Sequence, residues 1–192
     1  MNGLINRSFE LFVRESYGER VWERLARQAR VDSRGFLLLQ NSPDSVTLLL
    51  LAEASKILRK PADELVEDLG GWLTRREPIR RLLRFSGRDF PEFIEAVSEF
   101  PDRALMLISN LEIPRIKVTT HSRSLYQVEI DSDTGILTMM LAGVLRGMAD
   151  DYGALAVIQI EGTALRVDIA LSEYSATRPF ALVPEREQDA RS

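Results

Sequence analysis

The sequence predicts an α+β fold, with an N-terminal helical lobe followed by a four-stranded antiparallel sheet and one crossover helix. Three observations lead to this fold class. Apolar residues recur at helical spacing up to about residue 110, apolar–polar alternation begins after Pro114, and one long apolar segment separates two pairs of alternating segments. Helices followed by strands in this order are typical of α+β proteins, with the single late helix on one face of the sheet.

In the first part of the chain, glycine and proline residues mark the expected ends of the helices. Gly18 follows the first apolar-periodic segment, and Pro61 fits the first turn of a later helix. The predicted helices cover residues 2–17, a short segment around Val21–Leu25, 45–58, 62–73, a short segment from Glu77, and a segment from Phe90 toward Asn110 with a kink or break at Pro101.

In the second part, alternating segments predict two hairpins. The first pairs residues 115–120 with 126–130, and the second pairs 156–160 with 165–171 around a turn at 161–163. A helix over 136–152 joins the hairpins. We expect one domain over 1–174, with a helical lobe of about 1–112 and a sheet lobe of about 113–174, followed by a tail over 175–192.

Composition excludes several classes of function. The 192 residues include no cysteine and one histidine, so disulfides, thiolate metal sites and zinc centres are not expected. A net charge of −4 argues against nucleic-acid binding. The apolar run 48–52 is far shorter than the roughly 20 residues of a membrane span, and no export signal is visible. We therefore expect a cytoplasmic protein without a transmembrane segment.

Five segments, in this order and spacing, resemble the H-NOX family of haem nitric oxide/oxygen binding domains. They are MNGLIN at 1–6, FVRESYGERVWERL at 12–25, LVEDLGGWL at 65–73, IPRI at 113–116 and LAGVLRGMADDYG at 141–153. The resemblance extends from residue 1 to about 172. It implies a gas-sensing module in which haem lies between the helical lobe and the sheet, held by one proximal histidine, with its propionates bound by a Tyr-x-Ser-x-Arg motif.

Two elements of that haem site differ in this chain. When the resemblance is carried over residue by residue, Leu105 stands in place of the proximal histidine. Ile130, Ser132 and Thr134 stand in place of the tyrosine, serine and arginine of the propionate motif, so only the serine is retained. Leucine cannot ligate iron, and the propionates need cationic donors if they are to be buried. We therefore expect no cofactor, although haem is the family cofactor.

Several further residues are candidates for the pocket or for binding iron. Ile5 belongs to the expected pocket, and Met106 adjoins the position of the missing histidine, which makes it the first thioether to consider as an iron ligand. Met139, Met140 and Met148 are the further methionines, although methionines at helical positions more often fill core space. His121 falls in the predicted hairpin loop, which favours a solvated side chain over a substitute iron ligand.

Charged residues offer two further candidate sites. The stretch Arg75–Arg88 is basic, with Arg76, Arg80 and Arg84 on one expected helical face, which is either a contact for an acidic partner or a solvated surface.

The pairs Asp131/Asp133 and Asp150/Asp151 resemble catalytic or magnesium carboxylates. However, Ser132 or Asp133 would suit the N-cap of the 136–152 helix, which explains the first pair without catalysis. No catalytic motif accompanies either pair. An enzyme is not expected.

Three functions remain open at this point. The first is a haem-independent H-NOX-like sensory or regulatory domain, in which Leu105, Ile130 and neighbouring apolar side chains fill the cavity or bind an apolar ligand. The second is a haem-based gas sensor with unconventional iron ligation that modulates a partner such as a histidine kinase or a cyclic dinucleotide enzyme. The third is a carrier of lipids or other small apolar molecules.

Overall fold

The computed structural model describes residues 3–37, 43–107, 113–132 and 134–171. Its elements, in chain order, are α1 Gly3–Tyr17, α2 Glu19–Gln28, α3 Asp44–Leu58, α4 Ala62–Arg75, α5 Glu77–Arg84, α6 Phe90–Ala96, a 3₁₀ turn Val97–Glu99, α7 Phe100–Leu107, β1 Ile116–Thr120, β2 Leu125–Ile130, α8 Ile136–Tyr152, β3 Leu155–Glu161 and β4 Ala164–Leu171. Among these helices, none combines the length and apolar character that crossing a bilayer requires.

The four strands form one antiparallel sheet in the order β1-β2-β4-β3. Strands β2 and β3 are therefore not neighbours, because β4 lies between them, and α8 is the crossover connection. One face of the sheet is buried: Val128 of β2 lies opposite Leu165 of β4, and both are fully inaccessible to solvent. The predicted α+β class, both hairpins and the crossover helix are confirmed.

Two details of the predicted helices are wrong. The helix from Phe90 is interrupted at Val97–Glu99 and not at Pro101. Pro101 lies in the first turn of α7, where backbone N–H groups make no hydrogen bond within the helix, so proline is tolerated there. The N-cap of α8 is Gly135, with φ of 65°, rather than Ser132 or Asp133. The chain enters α8 through a left-handed residue, which glycine adopts without steric cost. Asp133 itself lies outside the described residues.

Helix α8 lies between two hydrophobic cores. On one side, Leu145 and Met148 are fully buried against the sheet, together with Phe90 and Phe93 of α6. On the other side, Ile136 belongs to the core formed by the N-terminal helices. A helix that is apolar on most of its circumference is buried on most sides. This position accounts for the long apolar sequence of α8.

Glycine residues allow α4 and α8 to cross at backbone contact. A Cβ atom at Gly70 would lie 2.0 Å from the carbonyl oxygen of Met140, and one at Gly143 would lie 1.9 Å from the carbonyl oxygen of Glu67. Both distances are shorter than any van der Waals contact. Only glycine therefore fits at either position without moving one helix away from the other.

Arg146, one turn beyond the crossing, connects three elements. From α8 its guanidinium forms an ion pair with Glu67 of α4 and donates from Nη2 to the carbonyl oxygen of Ile158, at 2.8 Å, in strand β3. Because β3 is at the edge of the sheet, this side chain lies against main chain that no further strand covers. It joins the helix crossing to the edge of the sheet.

A buried carboxylate holds the loop after α2 against α1. Glu10 is 0% exposed, and its Oε1 accepts hydrogen bonds from Arg7 Nη1 at 2.6 Å and Arg14 Nε at 2.9 Å. Its Oε2 accepts from the backbone N–H of Phe36 at 2.8 Å. A Cβ at Gly35 would lie 2.1 Å from the same carboxylate. The charge is therefore paired and hydrogen-bonded, as a buried charge must be.

The helix crossing leads to a test with an internal control. Gly143→Ala should destabilise the protein by about 1–3 kcal/mol, because its new methyl group collides with backbone that cannot rotate away. Gly71→Ala adds the same methyl group where the nearest atom is 3.8 Å away, so it should be neutral or slightly stabilising. Urea unfolding followed by circular dichroism measures both. Equal effects of the two variants would contradict the proposed crossing.

Candidate functional site

An apolar cavity of about 220 Å³ lies where α1, α8 and the β1–β2 hairpin meet. Its walls are formed by side chains from α1, α5, α7, the segment before β1, both strands of the first hairpin, and α8. The lining residues are Leu4, Ile5, Leu83, Phe100, Ile113, Pro114, Ile116, Ile130, Leu137, Met140, Leu141 and Val144.

Two regular features of the sequence create most of this wall. Leu137, Met140, Leu141 and Val144 follow the spacing i, i+3, i+4, i+7, which places them on one face of α8. Opposite them, Ile116 and Ile130 are cross-strand partners at one end of the first hairpin. Side chains of directly opposed residues in an antiparallel pair lie on the same face of the sheet. The cavity is therefore the gap between a helix face and a strand pair.

The walls of the cavity offer almost no polar chemistry. Among its described lining residues, the Met140 sulfur is the only side-chain atom other than carbon. None of the described side chains in the lining carries a charge, a hydroxyl or an amide. Walls of this kind offer a water molecule almost no hydrogen-bond partners. The cavity is suited to a neutral apolar occupant.

Haem does not fit the described walls. Haem iron is held in proteins by histidine, cysteine, methionine or tyrosine, and its two propionates need cationic or hydrogen-bonding partners. The lining offers a thioether at Met140 and no cation. Its volume of about 220 Å³ also falls below the ~300–1,000 Å³ that is usual for pockets holding drug-sized ligands, a range whose upper part haem would need.

The residues predicted for the pocket separate into two groups. Ile5 and Ile130 line the cavity. Leu105 and Met106 do not line it: on α7 they are 43% and 84% exposed, respectively. The cavity is therefore not filled by Leu105. That Leu105 occupies the position of the family's histidine remains an interpretation of the sequence.

The predicted propionate-motif positions beyond Ile130 lie outside the cavity wall. Ser132 is partly buried, and its backbone N–H donates to the carbonyl oxygen of Ile130 at 2.9 Å. Thr134 is exposed at the turn before α8. Neither residue brings a charged group toward the cavity. Sequence reasoning missed Leu83 and Phe100, which reach the cavity only through the tertiary arrangement of α5 and α7.

The single histidine of the chain is far from the cavity. His121 is exposed in the turn after β1, with its Nε2 3.1 Å from Oε1 of Gln127. It follows Thr120, at the opposite end of the strand from the cavity residue Ile116. Five residues of extended strand correspond to roughly 16 Å. The prediction of a solvated loop histidine is confirmed.

The arginine stretch makes contacts within the chain. Arg80 Nε donates to Oδ1 of Asp151 at 2.7 Å, and the Arg84 guanidinium lies 4.0 Å from the centroid of the Tyr152 ring, with Nε 3.5 Å from Oδ2 of Asp151. Arg76 precedes α5 and donates from Nη1 to Oε2 of Glu15 at 2.6 Å. The expectation that these three arginines share one helical face is therefore wrong for Arg76, because the helix is interrupted there.

The Asp150/Asp151 pair also has a structural explanation. Acidic side chains are unfavourable at a helix C-terminus, but Asp151 is compensated by Arg80 and Arg84. Asp150 is exposed. Among the described residues, no group of three or more His, Asp or Glu side chains is arranged to hold a metal ion.

Comparison with known proteins is consistent with this architecture. The model of the haem-NO-binding family matches residues 2–160. The soluble guanylate cyclase gcy-31 of Caenorhabditis elegans is 24% identical over 128 residues, and the alignment covers 65% of this chain and 18% of that protein. The chain thus spans less than a fifth of that relative's length.

Solved structures share the fold. The Fe(II) unliganded H-NOX protein from K. algicida superposes with a TM-score of 0.76 at 17% identity, covering 91% of this chain and 99% of that one. The H-NOX protein from S. oneidensis in the Fe(II)NO ligation state gives 0.75 at 16% identity, covering 88% and 99%. At these identities the likeness concerns the fold alone.

The arginine–aspartate contacts predict different effects for two adjacent carboxylates. Asp151→Asn should destabilise the protein by about 1–3 kcal/mol, because the Arg84 guanidinium loses its acidic partner in a site that is largely buried. Asp150→Asn, at an exposed position, should change the unfolding free energy by less than about 0.5 kcal/mol. Both variants remove one acid from the same helix end, so the dipole effect is shared. Chemical denaturation measures both unfolding free energies. A similar loss of stability in both variants would contradict the role given to the Asp151 contacts.

Tyr152 predicts how the protein responds to alkaline pH. Burial, with smaller contributions from Asp151 and Asp89, raises the pKa of Tyr152 to about 12 although the nearby Arg84 lowers it. Its hydroxyl donates to the carbonyl oxygen of Gly87 at 2.7 Å. Because the folded-state pKa exceeds the ordinary value near 10, this contribution to stability is complete below pH 10 and is lost as pH rises through about 12.

Chemical unfolding at several pH values tests this contribution. Tyr152→Phe should lower stability near neutral pH and flatten the decline between pH 10 and 12, because the variant has no hydroxyl to ionise. An unchanged slope in that range would show that other groups cause the decline.

Proposed function

Because the chain belongs to the haem-NO-binding (H-NOX) family, we propose that it is a sensory or regulatory domain and that it functions without haem. The observation that carries the second part is the placement of the histidine. The chain has one imidazole, His121, and it lies in an exposed turn rather than at the cavity. Without cysteine, no thiolate can replace it as an axial ligand.

The walls of the cavity support the same proposal. Two propionate carboxylates would have to enter a space whose described lining carries no positive charge. An unpaired buried carboxylate is costly enough that proteins pair it with cationic donors. The described residues 131–132 and 134, just before α8, contribute Asp131, Ser132 and Thr134, and none of these is a cation. If these positions correspond to the family's propionate motif, as the resemblance implies, the absence of a cation there supports the proposal.

The cavity is placed so that its state can influence the rest of the domain. Its α8 wall includes Met140 and Val144, which lie on either side of Gly143 at the crossing with α4. The backbones of these two helices are in contact, so strain from a displacement of α8 is transmitted to α4. We propose that the domain passes such a change to a signalling protein, such as a histidine kinase or a cyclic dinucleotide enzyme, and is not itself catalytic.

A second candidate function rests on Met140. Its thioether is in the cavity wall, and methionine is an axial haem ligand in some proteins. This geometry supports a haem-based gas sensor with unconventional ligation. It requires the cavity to expand well beyond about 220 Å³ and the propionates to find partners outside its described walls.

Titration of the purified protein with haemin distinguishes the two candidates. We expect a broad absorption band without a stoichiometric end point and without a shift under nitric oxide after reduction. The reason is that the described cavity walls lack a histidine ligand for the iron and cationic partners for the propionates. A sharp Soret band that saturates at one haem per chain and shifts with nitric oxide would overturn the proposal. Met140→Leu, which conserves volume, is the matched control: loss of such a band in this variant would assign the iron ligand to Met140.

A further inference from the structure

We infer that the cavity binds one small, neutral, apolar molecule of about nine non-hydrogen atoms, such as an alkylbenzene. This inference rests on the proposed function, since a haem would occupy the same space. The size follows from the volume. A cavity of about 150 Å³ lined by Leu, Ile and Phe binds benzene, so a volume of about 220 Å³ corresponds to roughly nine carbon-sized atoms.

The composition of the wall selects a neutral molecule. The described lining contains no hydrogen-bond donor or acceptor among its side chains, apart from the weak acceptor at the Met140 sulfur. A hydroxyl, amide or carboxylate on the ligand would therefore lose its hydrogen bonds to water without replacement. The same reasoning disfavours a fatty acid, which would need both a longer cavity and a partner for its headgroup.

Two wall residues favour an aromatic ligand. Phe100 of α7 packs edge-to-face on Phe93, with ring centroids 5.7 Å apart. This contact fixes the orientation of the Phe100 ring in the cavity wall. Met140 adds a polarisable sulfur from α8. Thioethers and aromatic edges both make favourable contacts with aromatic rings. A flat ring bearing a short alkyl chain matches this wall better than a branched alkane of equal volume.

Occupancy would join parts of the fold that otherwise have a gap between them. A ligand in this space contacts Ile5 of α1, Val144 of α8 and the Ile116–Ile130 strand pair at once. Binding to the folded state alone stabilises that state in proportion to ligand concentration. The ligand therefore holds the first helix against the sheet, and its departure releases that contact.

Isothermal titration of the full chain tests the inference with four probes. We expect n-propylbenzene, with nine carbons, to bind saturably at one molecule per chain and to raise the melting temperature. Toluene and phenol have equal numbers of heavy atoms, and phenol should bind at least about tenfold more weakly because its hydroxyl finds no partner. n-Hexylbenzene should bind more weakly than n-propylbenzene, because it exceeds the volume.

Three variants connect the binding to this cavity. Ile116→Phe and Leu137→Phe fill the space from opposite walls, and each should reduce n-propylbenzene affinity at least about tenfold. Two positions are used so that a folding defect in one leaves the other informative. Val157→Phe adds similar bulk at a residue that is 53% exposed on β3, away from the cavity lining, and should bind as the wild type does.

The outcomes separate this inference from the function on which it rests. Absence of n-propylbenzene binding, equal binding of phenol and toluene, or unchanged binding in both filled variants would overturn the inference. If haemin also fails to bind, the haem-independent function stands while the ligand class is wrong. If haemin binds stoichiometrically, the haem-independent function is wrong, and the ligand inference fails with it when n-propylbenzene does not bind.

Discussion

The contact between the backbones of α4 and α8 is the constraint on which the architecture depends. Gly70 and Gly143 each occupy a position where even a methyl group would overlap a carbonyl oxygen of the other helix. This proximity fixes where α8 lies, and α8 in turn separates the helical core from the sheet core. The face of α8 that covers the cavity has its orientation set by the same crossing. The candidate site is therefore a consequence of packing elsewhere in the helix pair.

The cavity illustrates that packing and cofactor binding place different demands on the same residues. A helix face and a strand pair enclose the space, because Leu137, Leu141 and Ile130 are apolar and the surrounding elements pack around them. What the described walls lack is the set of polar groups that an iron porphyrin needs. Packing depends on volume and apolar area, whereas cofactor binding depends on a few side chains at fixed positions. The described walls meet the first requirement, and they carry few of the side chains that the second one needs.

Much of the fold could be predicted from the sequence, for identifiable reasons. Gly18 and Gly153 lie just beyond helix ends, and alternation in residues 115–120 and 126–130 predicts the first hairpin, which the structure has within one residue at each strand. The sequence predicts the helix break at Pro101, whereas the structure has it at residues 97–99. A short 3₁₀ turn has an apolar spacing close to that of an α-helix, so proline is the only sign of a break in the sequence. The sequence favours Ser132 or Asp133 as the N-cap of α8, because serine and aspartate are common N-cap residues. Nothing in the sequence shows that Gly135 adopts a left-handed conformation and takes that position instead.

The candidate site was less predictable than the fold. Ile5 and Ile130 were identified through the family resemblance, but Leu83 and Phe100 reach the cavity through contacts between elements that sequence spacing does not encode. The exposure of Leu105 was also not foreseeable, since a leucine within an apolar-periodic segment is usually buried. The burial of Glu10 has the same origin, because one of its donors, the backbone of Phe36, lies 26 residues away along the chain.

The contact of Arg146 with Ile158 bears on how the protein behaves at high concentration. Strand β3 is at the edge of the sheet and presents the exposed apolar side chains of Leu155 and Val157, a combination that invites another chain to add a strand. The guanidinium lies on the main chain at the middle of that strand and already occupies one of its carbonyl oxygens. An incoming strand would have to displace a charged group that is also paired with Glu67. Arg146 thus joins two helices and also covers the edge strand where a second chain would have to pair.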